Sequence, residues 1–364
     1  MLGTLKHRAT HAPPFVVSVF FAWVPPKEEH VIQRFTPRMF IALFAVLAML
    51  GAACSDSGDD AGSDGGDETT SDGGGESSGV GALSEFDLEG QSVTVGSKDF
   101  TEQLVLGEIY VQALEAAGAD VTNQVNLGGT AVAREALLAG EIDLYPEYNG
   151  TGWTVHLGNE DPSFDSEELT TNVREADLEE NSIRWVSQAP FNNTYGFAAG
   201  PDFVEENGEL DLQGMADYIA ENPSATVCME SEFPSRPDGL VLFENETGFT
   251  IPQDQIVILD TGIIYNDTAT GECTFGEIFT TDGRIPALEL DVIDAEGVFI
   301  LYNVSANLRD EVYTEHPEAY EEIFAMIHEP LTKERMAELN SFVSVEGEEP
   351  ADVARQYLED EGLI

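Results

Sequence analysis

Lysine is almost missing from this chain. Beyond residue 53 only Lys98 and Lys333 remain. The 364 residues hold 15 Lys+Arg against 69 Asp+Glu, a formal net charge of −54. Five of the basic and two of the acidic residues precede Cys54, which leaves 10 against 67 after it. That balance argues against nucleic acid or an anionic membrane surface as a partner. Its self-repulsion persists in dilute buffer, whereas at about 1 M salt the Debye length falls to roughly 3 Å. The composition therefore predicts a protein built for high salt, as in a halophile. A melting temperature that stayed constant from low to multimolar salt would refute this.

Cysteine is scarce too. Cys54, Cys228 and Cys273 are too few for a disulfide scaffold. Cys228 and Cys273 could pair in an oxidising compartment or remain separate buried thiols. Past the first 53 residues histidine occurs only at 156, 316 and 328, a spacing that suits no zinc site, so no metal is expected. There is no Ser/His/Asp arrangement and no phosphate-loop lysine, and Gly128-Gly129 is not a dinucleotide fingerprint. Neither catalysis nor a cofactor is expected.

Long apolar runs are also lacking, with one exception. Met39 to Ala53 is almost wholly apolar. It is short for a membrane span of about 20 residues and suits a signal-peptide core. Residues 1–53 are therefore read as a leader, with a start upstream of Arg34. The run ends Leu-Gly-Ala-Ala before Cys54, which resembles a lipoprotein processing site although Leu50 stands four residues before the cysteine rather than three. An uncleaved anchor or ordinary secretion is the alternative. The stretch after Cys54 is nearly all Ser, Asp, Gly, Glu and Thr, with too little apolar surface to offset chain entropy. Residues 54–89 are expected to form a disordered tether from a lipidated Cys54.

The folded region is expected to begin near Gly90. A strand at Ser92 to Val95, a helix from Thr101, a strand at Val121 to Leu127, a helix from Ala131 to Ala139 and a strand at Ile142 to Tyr145 give β-α-β-α-β. Such alternation predicts a parallel sheet with right-handed crossovers. The helix starts near Thr101 and Thr130 are potential anion sites. Residues 154–192 read mostly as polar helix. Further strands are expected at Ile183 to Val186, Ala225 to Met229, Gln255 to Leu259 and Val298 to Tyr302, and helices at Met215 to Ala220, Leu240 to Glu246 and from about Pro317 onward.

The central stretch is 141–153, Glu-Ile-Asp-Leu-Tyr-Pro-Glu-Tyr-Asn-Gly-Thr-Gly-Trp. Its strand is expected to break at Pro146, which has no N–H to donate. Tyr145, Tyr148 and Trp153 would then crowd the strand's mouth. Asn149 to Gly152 would form a turn whose amides approach a ligand. Aromatic faces at a strand's carboxyl end describe either a small-molecule site or an aromatic core edge.

The stretch 93–153 resembles the osmoprotectant-binding proteins of ABC importers, the glycine betaine/choline type. Val93 to Gln103, Asn126 to Thr130 and Tyr145 to Thr151 are similar to that family's runs. Phe191-Asn-Asn-Thr-Tyr195, Glu232 to Gly239, Thr281-Asp-Gly283 and Pro330 to Asn340 follow in the same order. The resemblance implies an α/β, two-lobed periplasmic-binding-protein fold of the second type, with the ligand in the inter-lobe cleft. It puts lobe one at 90–192 and 301–364, and lobe two at 193–300. It implies an aromatic box of Tyr148, Tyr195, Phe279 and Tyr302, with Phe279 where relatives often carry Tyr.

A quaternary ammonium has charge but no N–H, so aromatic faces hold it through the ring quadrupole. The resemblance further places Lys98, Thr151 and Arg236 on a ligand carboxylate. For Arg236 the structural alternative is a salt bridge to Asp238. The implied protein is extracytoplasmic and lipid-anchored to the outer face of the cytoplasmic membrane. It would capture glycine betaine or a related quaternary-ammonium solute for an ABC permease. Choline or carnitine binding, an enzyme on the same two-lobed fold, and an acidic surface protein without a saturable site are the competing readings.

Overall fold

The computed structural model describes residues 81–364 apart from 294 and 296. The leader, Cys54 and residues 55–80 lie outside this range. Residues 81–89, expected within the tether, are folded. Leu83 and Leu88 are fully buried, and the Leu83 N–H donates to Leu363 O at 3.0 Å. Ala82 and Leu83 thus dock on the chain's last turn, and the Leu88 N–H donates to Ala117 O at 2.9 Å.

The described strands are β1 (Ser92–Gly96), β2 (Asp120–Gln124), β3 (Leu144–Tyr148), β4 (Ile183–Val186), β5 (Tyr195–Ala199), β6 (Val227–Met229), β7 (Ile256–Ile258), β8 (Phe275–Phe279), β9 (Asp291–Ile293) and β10 (Val304–Arg309). They form two five-stranded sheets, ordered β2-β1-β3-β10-β4 and β7-β6-β8-β5-β9. Both are mixed rather than purely parallel. β1 runs parallel to β2 and β3, but β10 is antiparallel to β3 and β4. In the second sheet β6 is parallel to β7 and β8, and β5 is antiparallel to β8 and β9. The chain passes between the sheets after β4 and again before β10.

Helix α1 (Thr101–Ala116) buries most of its surface between the first sheet and the C-terminal helix Pro350–Asp360. Helix α2 (Thr130–Ala139) stops at Gly140, whose φ of 72° is the left-handed cap that glycine adopts without steric cost. Cys228 and Cys273 form a disulfide with Cα atoms 5.8 Å apart, joining β6 to the start of β8.

Two strand expectations fail. β3 does not break at Pro146; it runs from Leu144 through to Tyr148, and Pro146 faces Ala306 of β10. The Asn149 N–H donates to Asn303 O at 3.0 Å, whereas the Tyr148 N–H turns to the Glu147 side chain. Even-numbered amides of β3 thus point away from β10. Pairing with β1 reaches only Leu144, so nothing there needs a donor from residue 146. The late strand is β10, not Val298 to Tyr302. Phe299, Ile300 and Tyr302 are buried as a connection against the core, where an apolar run mimics a strand.

Candidate functional site

The cleft between the two sheets encloses about 740 Å³. Tyr148, Tyr195, Phe279, Tyr302, Lys98, Thr151 and Arg236, the seven ligand-site residues expected from the sequence, all line it. Tyr148 ends β3, Tyr195 begins β5 and Phe279 ends β8; Tyr302 lies in the connection before β10. Tyr195 and Phe279 are register partners, their ring centroids 5.3 Å apart. Tyr302 meets the Tyr195 ring edge-on at 5.3 Å. The sequence reading missed Phe100. It stacks 5.1 Å from Phe279 and 6.3 Å from Tyr148, closing the gap between those rings. Its signal was its place between Lys98 and the start of α1.

Tyr145 and Trp153 do not join this group. Tyr145 is buried in a separate cluster with Trp185, and Trp153 packs against that cluster. Strand alternation sends Tyr145 to the face opposite Tyr148. The Gly150 and Gly152 amides do not serve an open turn either. They enter the helical turns Asn149–Thr151 and Gly152–His156. A Cβ on Gly150 would lie 2.3 Å from Leu301 O, and one on Gly152 2.5 Å from the Trp185 ring, so these glycines admit protein neighbours.

Both basic residues already hold carboxylates. Lys98 Nζ donates to Glu147 Oε1 at 2.7 Å and lies 5.3 Å from the Tyr148 ring centre. Glu147 is fully buried and also accepts from Tyr145 OH and His156 Nε2, each at 2.9 Å, and from the Tyr148 N–H. Burial would raise its carboxyl, yet Lys98 and His156 together hold it well below the usual range. Burial lowers His156, so at neutral pH it donates as a neutral ring.

Arg236 forks onto Asp238 through Nε and Nη2, each at 2.9 Å, which is the salt bridge weighed as the alternative. It also donates to Thr130 Oγ1 at 3.2 Å and Thr151 Oγ1 at 3.1 Å, and sits 5.6 Å from the Tyr195 ring centre. Burial opposes its charge, but the paired Asp238 carboxylate keeps the guanidinium protonated. The α2 N-terminus near Thr130 does receive an anion, supplied by the protein: Glu232 Oε1 accepts the Thr130 N–H at 2.9 Å. Asp238 Oδ2 additionally accepts from Tyr302 OH at 2.9 Å and Thr154 Oγ1 at 3.0 Å. Burial pushes the phenols of Tyr148, Tyr195 and Tyr302 well above their ordinary value, so the rings stay neutral.

One buried carboxylate of the cleft lining has no cation partner among the described residues. Glu102, in the first turn of α1, is 2% exposed. Tyr148 OH (2.7 Å) and Asn193 Nδ2 (2.9 Å) donate to one oxygen; Asn340 Nδ2 (3.0 Å) and Thr281 Oγ1 donate to the other. Burial raises its carboxyl and the four donors counter that rise. The sequence signal was a charge one turn before Val105 and Leu106 and two turns before Ile109 on a buried face. Among the described residues no cluster of His, Cys, Asp and Glu is arranged to hold a metal ion.

Residues 91–360 match the family profile described as the substrate binding domain of ABC-type glycine betaine transport systems. The chain is 33% identical over 280 residues to the glycine betaine-binding protein YehZ of Escherichia coli, covering 74% of this chain and 90% of that one. A solved structure of apo YehZ superposes with a TM-score of 0.56 at 32% identity, over 75% of this chain and 99% of that one. A glycine-betaine-binding protein of Pseudomonas aeruginosa is 32% identical over 283 residues, covering 76% of this chain and 90% of that one. Lactococcal OpuAC in its closed form with glycine betaine shares the fold, with a TM-score of 0.53 at 13% identity, over 75% of this chain and 98% of that chain.

Proposed function

The chain belongs to the substrate-binding family of ABC-type glycine betaine transport systems, and from that premise we propose that its cleft captures glycine betaine or a closely related quaternary-ammonium solute. The family binds and delivers substrate and is not a family of enzymes. The observation that carries the ligand reading is the meeting of Tyr148, Tyr195, Phe279 and Tyr302, with Phe100, around one cleft. Each ring face is worth roughly 0.5–2 kcal/mol to a cation that no hydrogen bond can hold. Phe279 keeps the face and loses only a hydroxyl.

In this reading Lys98, Thr151 and Arg236 receive the ligand carboxylate, and the solute passes to an ABC permease. The protein works outside the cytoplasmic membrane, tethered through a lipid on Cys54. The charge balance suits a high-salt setting, where import of compatible solutes has its use.

One observation favours a second reading, a choline-type cation. Lys98 and Arg236 are each already paired with a buried carboxylate, Glu147 and Asp238. A ligand carboxylate must share those cations, and choline need not. Calorimetric titration of residues 81–364 in high salt, with glycine betaine and then choline, separates the two. Saturable betaine binding well below millimolar, with choline much weaker, is expected. Tighter choline would remove the carboxylate roles of Lys98 and Arg236. Binding of neither by folded protein would remove the ligand class.

A further inference from the structure

We propose that Glu102 is a specificity-determining residue for the ligand's positive charge: it is the fixed countercharge beneath the aromatic site, and it acts chiefly through Tyr148. This rests on the quaternary-ammonium reading above.

Four observations lead there. First, the pattern of partners describes an ionised carboxylate. All four hydrogen bonds run toward Glu102, two to each oxygen, and each donor is a neutral hydroxyl or amide. Each oxygen takes one amide N–H, from Asn193 or Asn340, which can only donate; the Tyr148 and Thr281 hydroxyls complete the set with their protons turned inward. Second, no lysine, arginine or histidine among the described residues pairs with it, in contrast to Glu147 and Asp238. A buried charge without a countercharge is costly. Glu102 nevertheless lines the cleft, where a cation is expected to rest.

Third, Tyr148 donates its phenolic proton to Glu102 at 2.7 Å. Donation to an anion shifts electron density into the ring, which deepens the negative face that a trimethylammonium group touches. Phe279 has no such handle. Fourth, the donors come from separated parts of the chain. Tyr148 ends β3, Asn193 lies in the connection between the sheets, Thr281 follows β8 of the second sheet, and Asn340 sits in the helix Lys333–Ser344. Asn340 also holds Thr281 O at 2.9 Å, and the Thr281 N–H donates to Asn193 Oδ1 at 3.3 Å. The carboxylate is therefore held rigidly, with no freedom to turn to water, as a preorganised countercharge requires.

A residue that only braced the fold would support any ligand of the right shape. A countercharge distinguishes a cation from its neutral twin. The experiment compares glycine betaine with its carbon isostere, in which a tert-butyl group replaces the trimethylammonium, and choline with the matching tert-butyl alcohol. Titration of the wild type and Glu102→Gln at one pH and salt reads the preference for nitrogen over carbon. Gln keeps the shape and one acceptor and removes the charge.

The variant should lose about tenfold of that preference, with the ammonium ligands weakened and the isosteres changed by about twofold or less. Equal weakening of both members of each pair, with the preference intact, would overturn the proposal. Where Glu102→Gln does not fold, Tyr148→Phe keeps the ring and removes the donated proton; it should lower the same preference by about threefold. A preference unchanged in that variant would overturn the proposal as well. A wild type that binds neither betaine nor choline would remove the quaternary-ammonium reading itself, and this inference with it, whereas a wild type that binds and a variant of unaltered preference would remove the role of Glu102 alone.

Discussion

Strands β3 and β8 hold the same place in their two sheets, each third in order between a parallel and an antiparallel neighbour. Each carries one buried glutamate, and the two behave oppositely. Glu147 is surrounded by Lys98, His156, Tyr145 and a backbone N–H, and its carboxyl is held well below the ordinary range. Glu277 accepts a single N–H, from Glu230 at 3.0 Å, and its other oxygen has no partner among the described residues. Burial, reinforced by the neighbouring Glu230 carboxylate, pushes it up to about 8. Burial acts in the same direction on both; the partners decide the outcome. The acid on β3 meets Lys98 and His156 and ionises. The acid on β8 meets no cation among the described residues and keeps its proton.

The largest expected effect breaks the first side of this comparison. Glu147→Gln leaves the Lys98 ammonium buried without a countercharge, which should cost about 3–5 kcal/mol of stability. Urea denaturation at neutral pH measures it. A loss below about 1 kcal/mol would mean that the pair contributes little beyond what water can supply.

Opening the Cys228–Cys273 bridge tests the other side. Its 45-residue separation suggests a cost of about 2–4 kcal/mol from the enlarged unfolded ensemble. Cys228→Ser with Cys273→Ser, or the native protein in reductant, should show it in the same assay. Equal midpoints with and without reductant would deny the bridge any stabilising role.

The last effect is a gain. In the unfolded chain Glu277 ionises near pH 4.3, whereas in the fold it keeps its proton to about 8. Between those values the unfolded state binds fewer protons, so stability falls as pH rises. Glu277→Gln removes that slope. The variant should melt clearly higher than wild type at pH 9, and little differently at pH 5. Parallel melting curves across that range would show that Glu277 is ionised in the fold.

Much of the site was legible in the sequence because its aromatics and cations stand in short ordered motifs. Tyr148, Tyr195, Phe279 and Tyr302 are far apart in the chain and meet in the cleft. What escaped was of another kind. Phe100 and Glu102 sat beside residues that were singled out, but their roles depend on Phe279 and Thr281, contributed by the second sheet. Pro146 read as a strand end because local chemistry does not reveal that β1 has stopped pairing there. Phe299 to Tyr302 read as a strand because burial in a connection and burial in a ladder leave the same apolar run.

The sequence by itself determined the charge imbalance, the alternation of strands and helices around 92–145, and the aromatic and basic residues that come to line the cleft. These are local or additive properties, readable without knowing which residues touch. The tertiary structure alone decided the partners of Glu147 and Glu102. It set Glu147 against Lys98, and Glu102 against four neutral donors from separated elements, whereas the Arg236–Asp238 pair lies within one short motif. The fate of a buried charge depends on what lies within a few ångströms of it in space, and in a chain folded from two crossed-over sheets those neighbours are distant in sequence.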